Sequence, residues 1–486
     1  MQAIIKAGTP RGEVQAPPSK SVVHREIICS ALAAGESTLS GAAMSKDIEA
    51  TVRAVRALGA EVSQEKEKSS GGLSLGVLGI GSDIGNCGCA EKKASGGLPV
   101  LDCGESGSTL RFMIPVALLS GGGVFRCAPR LIERGISVYE DAFSSRGIEV
   151  SIHRAESEIL VRGRLRPGAF EIPGDVSSQF VSGLLFALPV LEGDSRIFVR
   201  PPVESRPYID ITADILKKAG IELDICDETA SGGGITFEIP GQQKYRARHW
   251  KAEGDWSNGA FLLGMNTLAK YGPAGGSSGE PSGVYTDLAG AAQYDDSRVD
   301  LDESERAGGY PGSDRRRPPV QVSGLDPDSC QGDKVCVELL ETAGRWQAGD
   351  EPIDISGCPD LGPVLMAVGA ACGGCELTGT ARLRIKESDR AQAMASELAK
   401  FGIRVDVFED SVTVASGRLA APAEVLDGHN DHRIVMSLAL LASITGGRID
   451  GCQAVSKSWP EFWDVFRALG MDVEIVNASG AAQATQ

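Results

Sequence analysis

Six short segments hold most of the residues that could do chemistry. They are PPSKSVVHRE with Lys20, Ser21 and Arg25, GESGSTLR with Gly107 and Arg111, and PGDVSSQ with Ser177, Ser178 and Gln179. EGDWSN follows with Asp255 and Ser257, CPDLGP with Asp360, and GHNDHR with Asp431, His432 and Arg433. Each stands just ahead of an apolar run. Ser, Thr, Asp and Asn are favoured helix N-caps, and capping explains any one of these segments taken singly. It does not explain Lys20, Arg25 and Arg111, because a cation near a helix N-terminus opposes the macrodipole at a cost of roughly 0.3–1 kcal/mol. A bound anion reverses that sign, since free backbone N–H groups and the cations would both face it. The glycines of GESGS allow close backbone approach to such an anion. More cations follow in APRLIERG (Arg130, Arg134), in RIKESDR (Arg384, Lys386 and Arg390, among Glu387 and Asp389) and in SKSWPEF (Lys457). Singly each reads as a solvated surface charge. Together they predict one cleft for negatively charged metabolites.

Two kinds of helix must position these residues. One kind is apolar on nearly all sides, as in IICSALAAG, FMIPVALLSG, GLLFALPVLEG, FLLGMNTLAKYG, VLMAVGAACGG and IVMSLALLASITGG. Such helices are buried on most sides. The other kind is amphipathic and stops at a glycine before a strand, at Gly59, Gly147, Gly220, Gly344, Gly402 and Gly470. Gly suits a left-handed C-terminal position. Six units, each with one buried helix, one amphipathic helix and several strands, predict an α/β chain of two domains of three units. Residues 64–99 and 271–332 break the pattern, and 271–332 reads as a long, mobile surface insertion.

Composition removes other classes. The chain carries 48 Lys and Arg against 65 Asp and Glu, a net charge of −17, which argues against nucleic-acid or anionic-membrane binding. A cleft can still be positive, because screening acts over only roughly 8 Å. No apolar run reaches the roughly 18–20 residues of a membrane span. The N-terminus lacks signal-peptide character. The 12 cysteines form no disulfide framework, so reduced thiols and a cytoplasmic location are expected. Cys372-x-x-Cys375 follows a buried-looking run and has no second pair at ligand spacing, so neither metal nor redox chemistry is assigned to it. Cys87 and Cys89 read as loop residues, and DRRRPP (314–319) as a solvated charge run.

Ten segments in order, PPSKSVVHR, LDCGESGSTLRF, APRLIERG, PGDVSSQF, ESRPYIDIT, EGDWSN, PDLGP, RIKESDRAQAMASEL, NDHRIVM and KSWPEFW, resemble the 5-enolpyruvylshikimate-3-phosphate synthases of the enolpyruvyl transferase family. The resemblance spans nearly the whole chain outside the two irregular stretches. It implies two similar domains of three βαβαββ units with pseudo-threefold symmetry. One would be residues 19–250, and a discontinuous second 1–18 plus 251–486. It also implies transfer of the enolpyruvyl group of phosphoenolpyruvate to the 5-hydroxyl of shikimate 3-phosphate, with release of phosphate. Ser177, Ser178 and Ser205 would hold the shikimate phosphate, and Ser21, Arg25, Tyr208 and Gln179 the rest of that substrate. Lys20, Arg130, Arg390, Arg433, Lys457 and the Gly107 backbone would hold phosphoenolpyruvate, with Lys386 and His432 completing the contacts. Asp360 would take the hydroxyl proton, and Glu387 would protonate and then deprotonate the methylene carbon, with Lys20 assisting. The two carboxylates can divide that work if their surroundings separate their pKa values. No metal, cofactor or covalent nucleophile is called for, and a monomer is expected. Without the resemblance, Asp360 reads as a helix cap and Glu387 as the i, i+3 partner of Arg390.

Some residues depart from the family pattern. The family's GNAGT reads GESGS here, which puts Glu105 near the phosphoenolpyruvate site, either turned away or paired with Arg111. Phe112 replaces a Pro, and Arg382 stands where an Asn often contacts the shikimate phosphate. Trp256 and Asn258 have no assignment. UDP-N-acetylglucosamine enolpyruvyl transferase is the nearest rival, but Lys20-Ser21 stands where Lys-Asn belongs and Cys127 lacks a PGGC context. A non-catalytic binder of anionic metabolites would use the same helix ends, and the Asp360/Glu387 pair separates it from an enzyme.

Overall fold

Two separate hydrophobic cores organise the chain. One is built from residues between Val22 and Trp250, the other from Ala3–Ala16 together with residues between Trp256 and Val473. The computed structural model describes residues 1–66, 73–81, 97–228, 233–273 and 319–477. Each core is filled by three helices of the apolar kind. Lys20–Leu32, Gly107–Ala117 and Ser178–Ala187 serve the first, and Trp256–Tyr271, Gly362–Cys372 and His432–Thr445 the second. In Gly362–Cys372 every residue from Gly362 to Ala371 is buried, as expected of a helix with no polar face. The longest, Trp256–Tyr271, has 16 residues, and no described helix is long and apolar enough to cross a membrane.

The amphipathic helices cover these cores. Lys46–Leu58 turns Ile48, Val52, Val55 and Leu58 inward, is capped by the Ser45 hydroxyl, and stops at Gly59 with φ +114°. Gly147, Gly220, Gly402 and Gly470 also adopt positive φ. Gly344 does not follow the sequence expectation, because it lies inside the helix Cys336–Arg345. A Cβ there would come within 2.5 Å of the Tyr271 ring and 2.6 Å of the Thr267 methyl, so its smallness serves helix packing rather than a stop.

Five four-stranded sheets share one pairing pattern: two neighbouring strands run parallel, and the other two continue antiparallel. In one of them Ala169–Pro173 pairs parallel with Ser195–Arg200, which pairs antiparallel with Gly234–Ile239, followed by Asp224–Glu228. Along the chain this is strand, buried helix, strand, amphipathic helix, hairpin, the βαβαββ order. In the sixth unit the described strands are Gly12–Gln15 and Val320–Ser323, paired in parallel.

The two irregular stretches are more structured than expected at their edges. Leu73–Ile80 is a strand between Ala34–Ala42 and Glu61–Lys66. At the end of the second, Val320–Ser323 joins a sheet and Gln331 is buried, bonding Ser19, Trp256 and Gly254. Insertion therefore does not describe residues 319–332. Residues 67–72, 82–96 and 274–318 lie outside the described residues, with Cys87, Cys89 and nearly all of DRRRPP among them.

Candidate active site

All six buried helices bring their first turn, or the residue just ahead of it, to a single cleft enclosing about 790 Å³. Its walls include Lys20, Gly107, Ser178, Asp255, Asp360 and Arg433, one from each helix start. Six basic side chains and four carboxylates line it, so it is positive within a chain of net charge −17.

Capping and function are divided among these starts. Ser177, Asp255 and Asp431 cap their helices, accepting from the backbone N–H of Gln179, Asn258 and Arg433 at 3.3, 2.9 and 2.9 Å. Asp360 caps nothing. Its Oδ1 accepts from Lys386 Nζ at 3.1 Å and Arg390 at 2.8 Å, and its Oδ2 from Arg433 at 3.0 Å and the Tyr208 hydroxyl at 3.2 Å. Glu387 does pair with Arg390, at 2.7 Å. Arg390, fully buried, thus joins Asp360, Glu387 and Asp431, the last at 2.8 Å. It lies beneath the cleft wall and positions both carboxylates.

This network sets the proton affinities. Burial raises the pKa of a carboxylate, but Arg433, Lys386 and Arg390 outweigh it and hold Asp360 well below its usual 3.8. Glu387 is likewise held well below 4.5, against burial, by Arg390 and Arg134. Both carboxylates are thus pushed in the same direction, and Arg390 is a cause common to the two. Burial, together with Arg382 and Arg390, pushes Lys386 down to about 8 despite Asp360. Burial also works against the charge of Lys20, but Asp47 at 2.8 Å and Glu387 keep its pKa above the ordinary value. His432 is buried and lowered, first by burial and then by Lys20, and its ring nitrogens have no hydrogen-bond partner. It stands neutral behind the cleft wall.

The serines gather opposite. Ser177, Ser178, Gln179, Ser205 and Tyr208 share one wall, with Ser21 and Arg25 beside them. Ser205 sits at φ +53° ahead of the helix Arg206–Lys218. Arg382 reaches its hydroxyl and lies 3.6 Å from the Glu204 carboxylate. Arg25 donates to Ser21 O, Tyr208 O and the Thr212 hydroxyl, and it lies 5.0 Å over the Phe112 ring. Phe112 thus serves as its platform.

Three residues singled out in the sequence are not among those lining the cleft. Arg130 is exposed and pairs with Glu133 at 3.2 Å, whereas Arg134, one helical turn on, lines the cleft and donates to Ile385 O at 3.1 Å. Glu105 pairs with Lys457 rather than Arg111, and accepts from Asn430 at 3.0 Å. Lys457 is buried and held by Glu105 and Asn430 O, at 2.5 Å for the latter, away from the lining. Cys127, the residue the rival reading needed, is buried in the first core away from the lining. Cys372 and Cys375 are free thiols raised to about 12 by burial.

Sequence reasoning missed Asp47, Asp431 as the partner of Arg390, and Asp333, and it gave Arg134 no role beyond a cation of the cleft. Arg134 stood in a quoted motif, and i, i+4 spacing could have found it. Asp333 directly follows the stretch read as insertion, but QGD ahead of an amphipathic helix is a helix-start signal. Trp256 donates to Asp326 O at 2.9 Å and closes the segment before Gln331, and Asn258 lines the cleft.

Comparison with known proteins agrees with this geometry. The fold is shared with an EPSP synthase from Acinetobacter baumannii (TM-score 0.66, 21% identity, covering 98% of this chain and 100% of that one). It is shared also with the enolpyruvyl transferase NikO from Streptomyces tendae (TM-score 0.61, 14% identity, 97% and 98% covered). This is the architecture of an enolpyruvyl transferase. The family model described as EPSP synthase (3-phosphoshikimate 1-carboxyvinyltransferase) matches residues 6–270 and 317–466. Proteins named 3-phosphoshikimate 1-carboxyvinyltransferase from Clostridium novyi and Clostridium kluyveri are 34% and 35% identical, over 94% and 95% of this chain and 95% and 96% of their own lengths. The chain belongs to the EPSP synthase family, the transferases that move a carboxyvinyl group to 3-phosphoshikimate in aromatic amino acid biosynthesis.

Proposed function

We propose that the cleft joins the 5-hydroxyl oxygen of shikimate 3-phosphate to the C2 carbon of phosphoenolpyruvate, with Asp360 taking the hydroxyl proton and Glu387 serving the methylene carbon. The observation that carries this reading is the pair of carboxylates on one buried arginine, at 2.8 and 2.7 Å, facing a wall of serine hydroxyls and helix N-termini. Ser177, Ser178, Ser205 and Arg382 hold the phosphate of shikimate 3-phosphate, and Ser21, Arg25, Gln179 and Tyr208 orient its ring. Lys20, Arg134, Arg433 and the Gly107 backbone hold phosphoenolpyruvate, with Arg390 acting from below. Lys457 joins them once Glu105 releases it.

Both carboxylates are ionised in the free protein, so Asp360 is ready as a base but Glu387 holds no proton. Arriving anions compete for Arg134, Lys20 and Arg433. As those cations are shared, proton affinity at Glu387 rises, and it can take up the proton that the methylene carbon needs. Addition gives a tetrahedral intermediate. A proton then passes from the new methyl carbon back to Glu387, the carbon–carbon double bond re-forms and phosphate leaves C2. Positioning and fixed charge supply most of the rate.

The two cores are the two domains, 19–250 and 1–18 plus 251–486. A cytoplasmic location is the matching one, supported by ten free cysteines among the described residues. The test is a coupled phosphate-release assay. Release with phosphoenolpyruvate and shikimate 3-phosphate is expected. Release only with a UDP-sugar acceptor, or none, would contradict the reading.

A further inference from the structure

Asp333 has no part in the reaction described above, yet it is buried within reach of its base. It lies in the turn Gly332–Val335 with 2% of its surface exposed. Its hydrogen-bond partners are hydroxyls rather than cations. Tyr208 Oη is 3.2 and 3.0 Å from its two oxygens, and the Ser257 hydroxyl donates to Oδ2. The same Tyr208 oxygen stands 3.2 Å from Asp360 Oδ2. A phenol has one hydrogen, and three carboxylate oxygens surround it here. It can donate to only one carboxylate at a time.

We propose that Asp333 is a positioning residue for the reaction: by accepting or releasing the hydrogen bond that Tyr208 donates, it sets how strongly Asp360 attracts the substrate's proton. With a proton on Asp333, its hydroxyl donates to Tyr208, and Tyr208 donates to Asp360. That hydrogen bond stabilises the Asp360 carboxylate and weakens it as a base. With Asp333 ionised, Tyr208 turns its hydrogen to Asp333. Asp360 then loses a donor, gains a nearby negative charge and becomes the stronger base.

The surroundings place this exchange in a useful range. Tyr208 faces Asp333 from the helix Arg206–Lys218, Asp255 from the start of Trp256–Tyr271, Asp360 from its turn and Arg433 from His432–Thr445. The thiols of Cys336 and Cys358 are the remaining titratable neighbours. Burial first, then Asp360, raises Asp333 to about 7, with Arg433 opposing. Tyr208 is pushed well above 10 by burial and by the two carboxylates, so it keeps its hydrogen throughout.

The inference rests on Asp360 being the base, and the experiment separates the two claims. Turnover is measured against pH for the wild type, Asp333→Asn, Tyr208→Phe, the double variant and Asp360→Asn. In the wild type, turnover rises through about pH 7, the value to which Asp333 is raised. In Asp333→Asn the amide donates to Tyr208 permanently. The rise disappears and turnover above neutrality falls about 10-fold, the worth of one hydrogen bond to a charged group, with KM for both substrates little changed. Tyr208→Phe removes the hydrogen-bond part of the rise and leaves only what the Asp333 charge does through space, so the rise shrinks, and adding Asp333→Asn removes that remainder. A rise that persists in Asp333→Asn, an undiminished rise in Tyr208→Phe, or additive losses in the double variant, would overturn the proposal. If Asp333→Asn does not fold, the Tyr208→Phe profile decides alone. Loss of turnover in Asp360→Asn beside an unchanged Asp333→Asn profile would remove the Asp333 role and leave the base in place. Full turnover in Asp360→Asn would remove both.

Discussion

The cleft wall built from residues between Lys20 and Tyr208 is largely hydroxyl, amide and helix N-terminus, whereas the wall built from Asp360, Glu387 and Arg433 is carboxylate interlocked with cations. The first wall offers an anion hydroxyl and amide donors beside four charged side chains, Lys20, Arg25, Asp47 and Arg134. The second has four charged partners around Asp360 and Arg390 alone, within 3.1 Å. One wall is suited to holding a substrate, the other to moving protons. Reaction chemistry needs groups whose charge state responds to ligand, and shared cations make that response possible.

The comparison is broken most severely at Arg390. Arg390→Met leaves Asp360, Glu387 and Asp431 without their common partner. It should cost roughly 3–5 kcal/mol of stability, as does removing one member of a buried ion pair, and should abolish turnover. Thermal unfolding and the phosphate-release assay check this. Arg134→Ala should raise KM for phosphoenolpyruvate about 10-fold or more, the scale of a lost charge-assisted hydrogen bond, whereas Arg130→Ala should change it by less than about 2-fold. Equal effects would remove Arg134 from the site.

Titration sharpens the contrast further. Asp360 and Glu387 are depressed below 3.8 and 4.5, so their stabilising contribution is intact above those values and is lost as pH falls through the folded ones. Glu26, under the other wall, behaves oppositely. Burial and Glu253 raise it from 4.5 to about 7, and one oxygen has no hydrogen-bond partner. Its stability contribution is present below about pH 4.5 and is lost as pH rises through about 7. Glu26→Gln should therefore stabilise the protein by about 1–3 kcal/mol at alkaline pH and hardly at all near pH 4.5. Denaturant melts at the two pH values check it.

The smallest effect lies where the walls meet. Glu105 holds Lys457 away from the cleft lining, and burial is outweighed by Lys457 and Asn430 in keeping it ionised. Glu105→Gln should free Lys457 and lower KM for phosphoenolpyruvate about 2- to 5-fold, the range of an exposed ion pair. An increase in KM would mean that Glu105 positions Lys457 rather than withholding it.

Much of this was legible because it is local. Apolar helices, glycine stops and the residues just ahead of each helix are written within about ten residues of one another, and they predicted the repeated units. What was not legible depended on rotation or on distance in sequence. Arg130 and Arg134 stand one helical turn apart in the same motif, and which of the two lines the cleft depends on how that helix is seated. Gly344 matched the stop pattern, but its neighbours Tyr271 and Thr267 belong to another helix. Asp333 meets Tyr208 and Asp360 only in the folded chain. Pairing of Glu105 with Lys457 joins residues from the two ends of the sequence. The shared cation cluster, which holds both reactive carboxylates low, is a property of packing that composition could not supply.

The division of labour is tested most directly by Glu387→Gln, with substrate binding measured by calorimetry and turnover by phosphate release on the same preparation. Binding of shikimate 3-phosphate and phosphoenolpyruvate should stay within a few-fold of wild type while turnover falls by at least ~2 orders of magnitude, the scale of acid–base catalysis. Turnover that survives, or binding that collapses along with it, would contradict the account.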